Sequence, residues 1–294
     1  MTEIRAIAAP EDAGRKIKYF VRSNMRLSYQ SYCRIKAAEG LRVNGNIVHA
    51  NYELQPGDVI TASIPDAEPS KDVLSEDLPV NIVYADEDIY IIDKPAPLAC
   101  QCTPKQPTGT LENRLKHHFC DDDHFVFRPL NRLDKGTSGL MAVAKHAHAC
   151  QILQKQLHSD KFIREYLAVC EGVLEGEGVI DPPIAKSASA SVKRIIDHEN
   201  GLPSCTHYCA VRNDGSRTLV RLRLETGRTH QIRVHLSSMG HPICGDFLYG
   251  TEIPELPGRF ALHSHYIELI HPISGDKIAL TSPLPSELEA LMKQ

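Results

Sequence analysis

The sequence predicts a mixed α+β protein made of one large domain and a small N-terminal companion. Three observations predict it. Short apolar or alternating runs that read as strands are interleaved with stretches whose apolar residues recur at helical spacing. The 294 residues, 42% of them hydrophobic, are enough to bury a substantial core in one large unit and leave material for a second. The charge also reverses along the chain. Between residues 15 and 42, Arg15, Lys16, Lys18, Arg22, Arg26, Arg34, Lys36 and Arg42 stand against Glu39 alone. Between residues 66 and 88, a series of acids from Asp66 to Asp88 faces only Lys71, and Pro65, Pro69 and Pro79 punctuate this region. That acidic stretch reads as a linker, which divides the chain into a companion domain over 1–68, a linker over 69–80 and a main domain over 81–294.

In the companion, Ser28 is placed to N-cap a helix over 29–39, and Gly40 to close it in the C′ position. Residues 41–43 and 46–50 read as two short strands around Asn44-Gly45, the strongest short hairpin signal. The basic side chains of the helix and Arg42 are expected to share one face.

In the main domain, residues 81–84 and 89–93 read as strands flanking an acidic turn, and Lys94-Pro95-Ala96-Pro97 ends the second. A helix follows over 111–119, with Leu111 and Leu115 one turn apart. Residues 139–145 are short, small and apolar, as a buried strand is, and the turn before them is built from Lys, Gly, Thr, Ser and Gly. Asp134 therefore sits at the mouth of that strand, where a carboxylate can be held firmly and still meet a ligand. The same pattern is also that of an Asx-turn whose oxygen bonds only its own backbone. Residues 146–158 read as a helix burying Ala149, Ile152, Leu153 and Leu157, and 161–172 as a strand with Tyr166, Ala168 and Cys170 on one face. Residues 176–204 look irregular, an insertion loop, and 218–225 alternate as a strand carrying Arg221 and Arg223 on one side. Last, Ile232, Leu236 and Met239 make a helical apolar stripe that Gly240 and Pro242 stop. Arg233 lies beside that stripe, and a buried arginine is costly unless it is paired with a carboxylate.

Composition excludes several classes. No apolar run approaches the roughly 18 residues of a spanning helix, and no signal-peptide core opens the chain, so a cytoplasmic protein is expected. The nine cysteines, an odd number without a framework, read as reduced thiols. A net charge of -4 and a pI near 6.4 argue against indiscriminate coating of nucleic acid. Neither His117, His118, Cys120 and His124 nor Cys205, His207 and Cys209 fits a zinc template, so no metal is expected. The absence of a P-loop or dinucleotide fingerprint leaves no cofactor expected either.

One family carries several of these segments together. RLDKGTSG at 132–139 resembles the central motif of the RluA-type RNA pseudouridine synthases, REYLA at 164–168 resembles their second motif, and GRTHQIRVH followed by GHPICGDFLYG resembles their third. The segment from LSYQSYCRIK to GDVI is similar to the S4 RNA-binding domain. Two positions differ from the family: Asn131 stands where His is usual, and Gly136 where an acidic residue is usual. The resemblance implies a catalytic domain built on a large, mainly antiparallel sheet beside a small S4-like α/β domain, and isomerisation of uridine in ribosomal or transfer RNA without metal or cofactor. It implies Asp134 as the catalytic carboxylate, Arg233 as its ion-pair partner and Tyr166 over the flipped base. Arg132, Asn131, Thr137, Arg228 and His230 would contact RNA from the main domain, and Arg26, Arg34, Lys36 and Arg42 from the companion. A monomer is expected. Two other classes stay open: a non-catalytic RNA-binding protein of the same fold, and an aspartate-nucleophile hydrolase, which would want a second carboxylate that the sequence does not set beside Asp134.

Overall fold

The structure, a computed structural model, describes residues 2–65, 73–119, 125–157, 159–187 and 192–292. Residues 2–65 have an apolar core of their own, joining Ile17, Phe20 and Ile35 to Leu41, Val43, Ile60 and Ala62. These come from helices α1 (Ile17–Ser23) and α2 (Tyr29–Ala37) and from a four-stranded antiparallel sheet. The sheet runs β1 (Thr2–Ile7), β4 (Val59–Ile64), β2 (Leu41–Val43), β3 (Asn46–Ile47). Alternate residues of β4 are buried, as period-two patterning requires. The Ser28 hydroxyl accepts the Ser31 N–H at 3.0 Å, so the expected N-cap forms.

The helix end differs from expectation. Glu39, not Gly40, takes the left-handed conformation at φ 53°, and Gly40 is needed because a methyl there would stand 2.5 Å from the Ser63 carbonyl oxygen. The second hairpin strand is shorter than expected, and β1 and α1 were not anticipated. Arg34, Lys36 and Arg42 are exposed, but Arg34 and Lys36 flank the buried Ile35 on opposite sides of α2, as residues two apart must. The basic side chains therefore do not share one face.

The main unit is a nine-stranded sheet in the order β5 (Ile82–Ala85), β6 (Ile89–Lys94), β7 (Ser138–Ala144), β14 (Leu262–Ile270), β8 (Ile163–Glu171), β13 (Arg217–Leu224), β12 (Thr206–Asn213), β9 (Glu177–Ile180), with β15 (Lys277–Thr281) on β14. Every neighbouring pair is antiparallel except β7 with β14. The large, mainly antiparallel sheet is thus as expected. Alternate residues of β6 enter different apolar clusters, Tyr90 and Ile92 on one face and Ile89 and Ile91 on the other. The sheet is covered on both sides there, which is why β7 is apolar without alternation and buried throughout.

Helices α3 (Leu111–His118), α4 (Ala147–Gln156), α5 (Gln231–Ser238) and α6 (Ser286–Glu289) complete the unit. The region read as irregular contains structure. β9 extends the main sheet along β12, and β10 (Ile184–Lys186) pairs with β11 (Arg194–Ile196). Strands of three or four residues are too short for alternation to be legible, and β9 takes its register from β12.

Residues 73–80 run along α3: the Asn113 amide donates to Leu74 O at 2.8 Å, and Glu76 accepts the Gly109 N–H at 2.8 Å. Residues 66–68 of the expected companion domain and 69–72 of the expected linker, and with them the boundary near residue 70, lie outside the described residues. The two units also touch through α4, where Ser31 donates to the Gln151 carbonyl at 2.9 Å and the Gln151 amide to Arg26 O at 3.4 Å.

His148 on α4 is 4% exposed, with an unpartnered Nδ1, and burial, aided by His146, pushes its pKa down to about 4. The unfolded chain takes up this proton near the ordinary histidine value of about 6.5 and the folded protein does not. Stability is therefore expected to fall as pH drops from about 6.5 to about 4, by roughly 2–3 kcal/mol from this group. Urea midpoints of wild type and His148→Leu across that window check this, the variant showing the shallower decline.

Candidate active site

The turn before β7 is shaped by close contacts. The Thr137 N–H donates to Asp134 O at 3.0 Å, closing it. Gly139 has φ 105°, and a methyl on it would stand 2.3 Å from Ser264 O on β14. Gly136 lies under the ring of Phe260, where a methyl would come within 2.7 Å of a ring carbon. The acidic side chain that the resemblance leads one to expect here would meet Phe260. Gly136→Ala is expected to destabilise by roughly 1–3 kcal/mol through this overpacking, read as a lowered urea midpoint. The turn leaves the Asp134 side chain 27% exposed, facing α5.

α5 is buried more completely than a one-sided stripe implies: every residue from Gln231 to Leu236 is buried. Its polar side chains can be there because each is answered. Gln231 accepts from the Thr226 hydroxyl at 2.8 Å and the Arg228 N–H at 2.9 Å, and its amide donates to Cys205 O at 2.9 Å. Arg233, 2% exposed, donates from Nη1 to Asp134 Oδ2 at 3.0 Å, and from Nε and Nη2 to Asp246 at 2.7 and 2.8 Å. Its guanidinium also lies over the rings of Phe260 and Tyr249, 4.1 and 5.0 Å from their centroids. Burial opposes the charge on Arg233, but the two carboxylates outweigh it and hold its pKa above the ordinary value. His230, left-handed at φ 59°, precedes the helix with Nδ1 2.9 Å from the Tyr249 hydroxyl and Nε2 3.9 Å from Asp134 Oδ2. Burial pushes its pKa below the usual imidazole value, against the opposing pull of Asp134.

A cleft of about 550 Å³ opens over this cluster. Asp134, Arg233, Tyr166, Arg132, Asn131, Thr137, Arg228 and His230 all line it. Tyr166 is 5% exposed in the middle of β8, and burial pushes its hydroxyl pKa up. Arg132 is exposed, whereas Arg228 is half-buried with Nε donating to Pro203 O at 3.0 Å. Asn131 accepts the Ala142 N–H at 3.1 Å through Oδ1 and leaves a buried Nδ2 without a partner. Of the companion's four expected residues, Arg26 lies beside α4, which forms part of the cleft wall through Cys150 and Gln154. Arg34, Lys36 and Arg42 are on the companion's surface, with Arg42 donating to Gly45 O at 3.1 Å.

Three residues went unassigned in the sequence. Asp246 is 0% exposed and also accepts the Leu248 and Tyr249 N–H groups, at 3.0 and 3.2 Å. It is the second acid at the site, yet its oxygens are all engaged away from the cleft, so it does not form the facing carboxylate pair a glycosidase uses. Lys94 is fully buried, donates to Pro95 O and Leu98 O at 2.9 and 2.7 Å, and burial pushes its pKa down to about 8. The loop it holds is bonded to the turn that carries Asp134, Leu98 N–H to Lys135 O at 2.8 Å. Phe260 joins Gly136 to Arg233. One signal pointed to a second acid without naming it: a guanidinium has five donors, and a single carboxylate cannot satisfy them all.

The metal-like patterns are rearranged. Cys205 and His207 gather with Glu225 instead of Cys209, with His207 Nε2 2.6 Å from the Glu225 carboxylate. His117 is 3.2 Å from Asp77, and Cys120 and His124 lie outside the described residues.

Comparison with known proteins gives the family. A family model described as RNA pseudouridylate synthase matches residues 88–238. The chain is 36% identical over 255 residues to the RNA pseudouridine synthase YjbO of Bacillus subtilis, covering 86% of this chain and 89% of that one. It is also 36% identical to ribosomal large subunit pseudouridine synthase D of Haemophilus influenzae, over 87% and 83% of the two chains. Among solved structures, human RNA pseudouridylate synthase domain containing 1 superposes with a TM-score of 0.60 at 25% identity, covering 74% of this chain and 89% of that one.

Proposed function

This chain belongs to the RluA-type RNA pseudouridine synthases, enzymes that isomerise uridine to pseudouridine within RNA, and on that premise we propose that Asp134 is its catalytic carboxylate, held ready by Arg233. The observation that carries the assignment is the 3.0 Å ion pair between them at the wall of the cleft. In the reaction the N1–C1′ bond breaks, C5 bonds to C1′, the C5 proton leaves and N1 gains one. Asp134 serves either by attacking C1′ or by taking a proton from the ribose. Both roles require the carboxylate ionised in a site that closes over an uncharged uracil, where desolvation favours the neutral acid. A permanently charged guanidinium offsets that tendency and fixes the direction of the carboxylate. Asp246 in turn fixes the guanidinium.

A stacked nucleotide hides its glycosidic bond, so the uridine is flipped out at a cost of a few kcal/mol. Exposed Arg132 fills the vacated position. Tyr166 stacks on the displaced base, a contact of about 1–3 kcal/mol. Asn131, Thr137, Arg228 and His230 contact the RNA around it. Residues 1–68 act as an S4-like module, joined through 69–80 to a catalytic domain over 81–294, and Arg26, Arg34, Lys36 and Arg42 add phosphate contacts that orient the substrate. A separate core in residues 2–65 and a basic surface support this role. The protein works as a cytoplasmic monomer. Its substrate is ribosomal RNA, a reading supported by the printed name of the Haemophilus relative.

Mapping pseudouridines in RNA from cells with and without this protein tests the reading. Loss of one or a few positions in ribosomal RNA is expected. Losses confined to transfer RNA would reassign the substrate, and no loss would overturn the proposal.

A further inference from the structure

Arg164 on β8 is a buried cation to which the protein supplies no counter-charge. It is 7% exposed, stands two residues before Tyr166 and so on the same strand face, and lines the same cleft as Asp134. The other buried arginines are answered: Arg233 by Asp134 and Asp246, and Arg259 by Glu287 at 2.5 Å. Among the described residues, no carboxylate pairs with Arg164, no group accepts a hydrogen bond from it, and its Nε is sealed from solvent without a partner. Its neighbours are the Phe162 ring, 6.0 Å from Cζ, and Gly227, where a methyl would stand 3.2 Å from Nη1. Both are uncharged.

An unpaired buried guanidinium is costly, and an arriving anion removes that cost. The ligand of this cleft is a polyanion. From the reading of the preceding subsection, on which this step rests, we infer that Arg164 binds a backbone phosphate of the RNA next to the flipped uridine. It is a positioning residue: it lies about 7 Å along the strand from Tyr166, and its fork matches two phosphate oxygens. Holding the phosphate fixes the ribose relative to Asp134, while Tyr166 holds the base. Arg128 and Arg228 on the same cleft wall add positive charge along the strand's path.

The test uses the full-length protein, Arg164→Met and Arg164→Lys, with a substrate RNA and a copy bearing one neutral methylphosphonate beside the target uridine. Arg164→Met is expected to unfold at an equal or higher denaturant concentration, since it replaces an unpaired charge by an apolar chain of similar length. Its kcat/KM falls about 10- to 100-fold, most of the loss in KM. Its slope of log binding constant against log salt becomes shallower by about 1. The methylphosphonate weakens binding to wild type and has little further effect on Arg164→Met. Arg164→Lys keeps the wild-type salt slope and recovers part of the affinity.

An unchanged slope with equal methylphosphonate losses in wild type and Arg164→Met would overturn the inference. So would a destabilised Arg164→Met with unchanged KM, which would make Arg164 a structural cation. A wild-type protein that binds RNA but forms no pseudouridine would instead defeat the reading of the preceding subsection, since the binding arms stand without turnover.

Discussion

Asp134→Asn is expected to abolish pseudouridine formation, by about 10³-fold or more, while folding and RNA binding persist. Asparagine keeps the size of the side chain and can still accept the Arg233 Nη1–H, so the turn is not disturbed. It carries no charge, and can neither attack C1′ nor take a proton. Arg233 retains its two bonds to Asp246, so no buried charge is stranded. Release of tritium from RNA labelled at uridine C5, measured beside an RNA-binding titration, separates chemistry from affinity. Undiminished release by the variant would show that another group does the chemistry, while binding lost along with release would point to a misfolded or blocked cleft.

The second large effect is expected at a residue that never meets the substrate. Asp246→Ala should destabilise the protein by about 3–5 kcal/mol, because it removes both partners of a buried guanidinium's Nε and Nη2 and leaves Arg233 balanced by Asp134 alone. It also releases the Leu248 and Tyr249 N–H groups. Activity should fall with stability, since Tyr249 faces His230 and Arg233 no longer aims at Asp134. Urea denaturation gives the first effect directly. A variant as stable as wild type would mean that the ion triad does not hold the site together.

Much of this site was legible in the sequence because its chemistry leaves few substitutes. Asp134 and Arg233 are 99 positions apart, yet each belongs to a short motif that resembles the family's, and their pairing was read from that resemblance. β5, β6, β7, β8 and β13 were legible because the continuous apolar run of β7 and the alternation of β8 and β13 are properties of the segments themselves, whereas β14 and β15 were not anticipated. What stayed hidden depends on distant partners. Gly136 looked like a departure from the family until Phe260, more than a hundred residues later, was seen to occupy the space. Gly40 looked like a helix cap, and is instead held bare by Ser63. β9 and the pair β10 and β11 are too short to show a period, and β1 forms because β4 offers it an edge. Donor arithmetic on Arg233 calls for a second acid, but among many acids nothing local marked Asp246 as that partner.

A crystal structure of the protein with its target RNA, carrying a uridine analogue that binds but does not rearrange, tests the central claim most directly. The account predicts the nucleotide flipped into the 550 Å³ cleft, its base lying on Tyr166 and its C1′ facing the Asp134 carboxylate, with Arg233 still bonded to that carboxylate. A target uridine lodged elsewhere, or an Asp134 turned away from the ribose with its Arg233 pair broken, would contradict it.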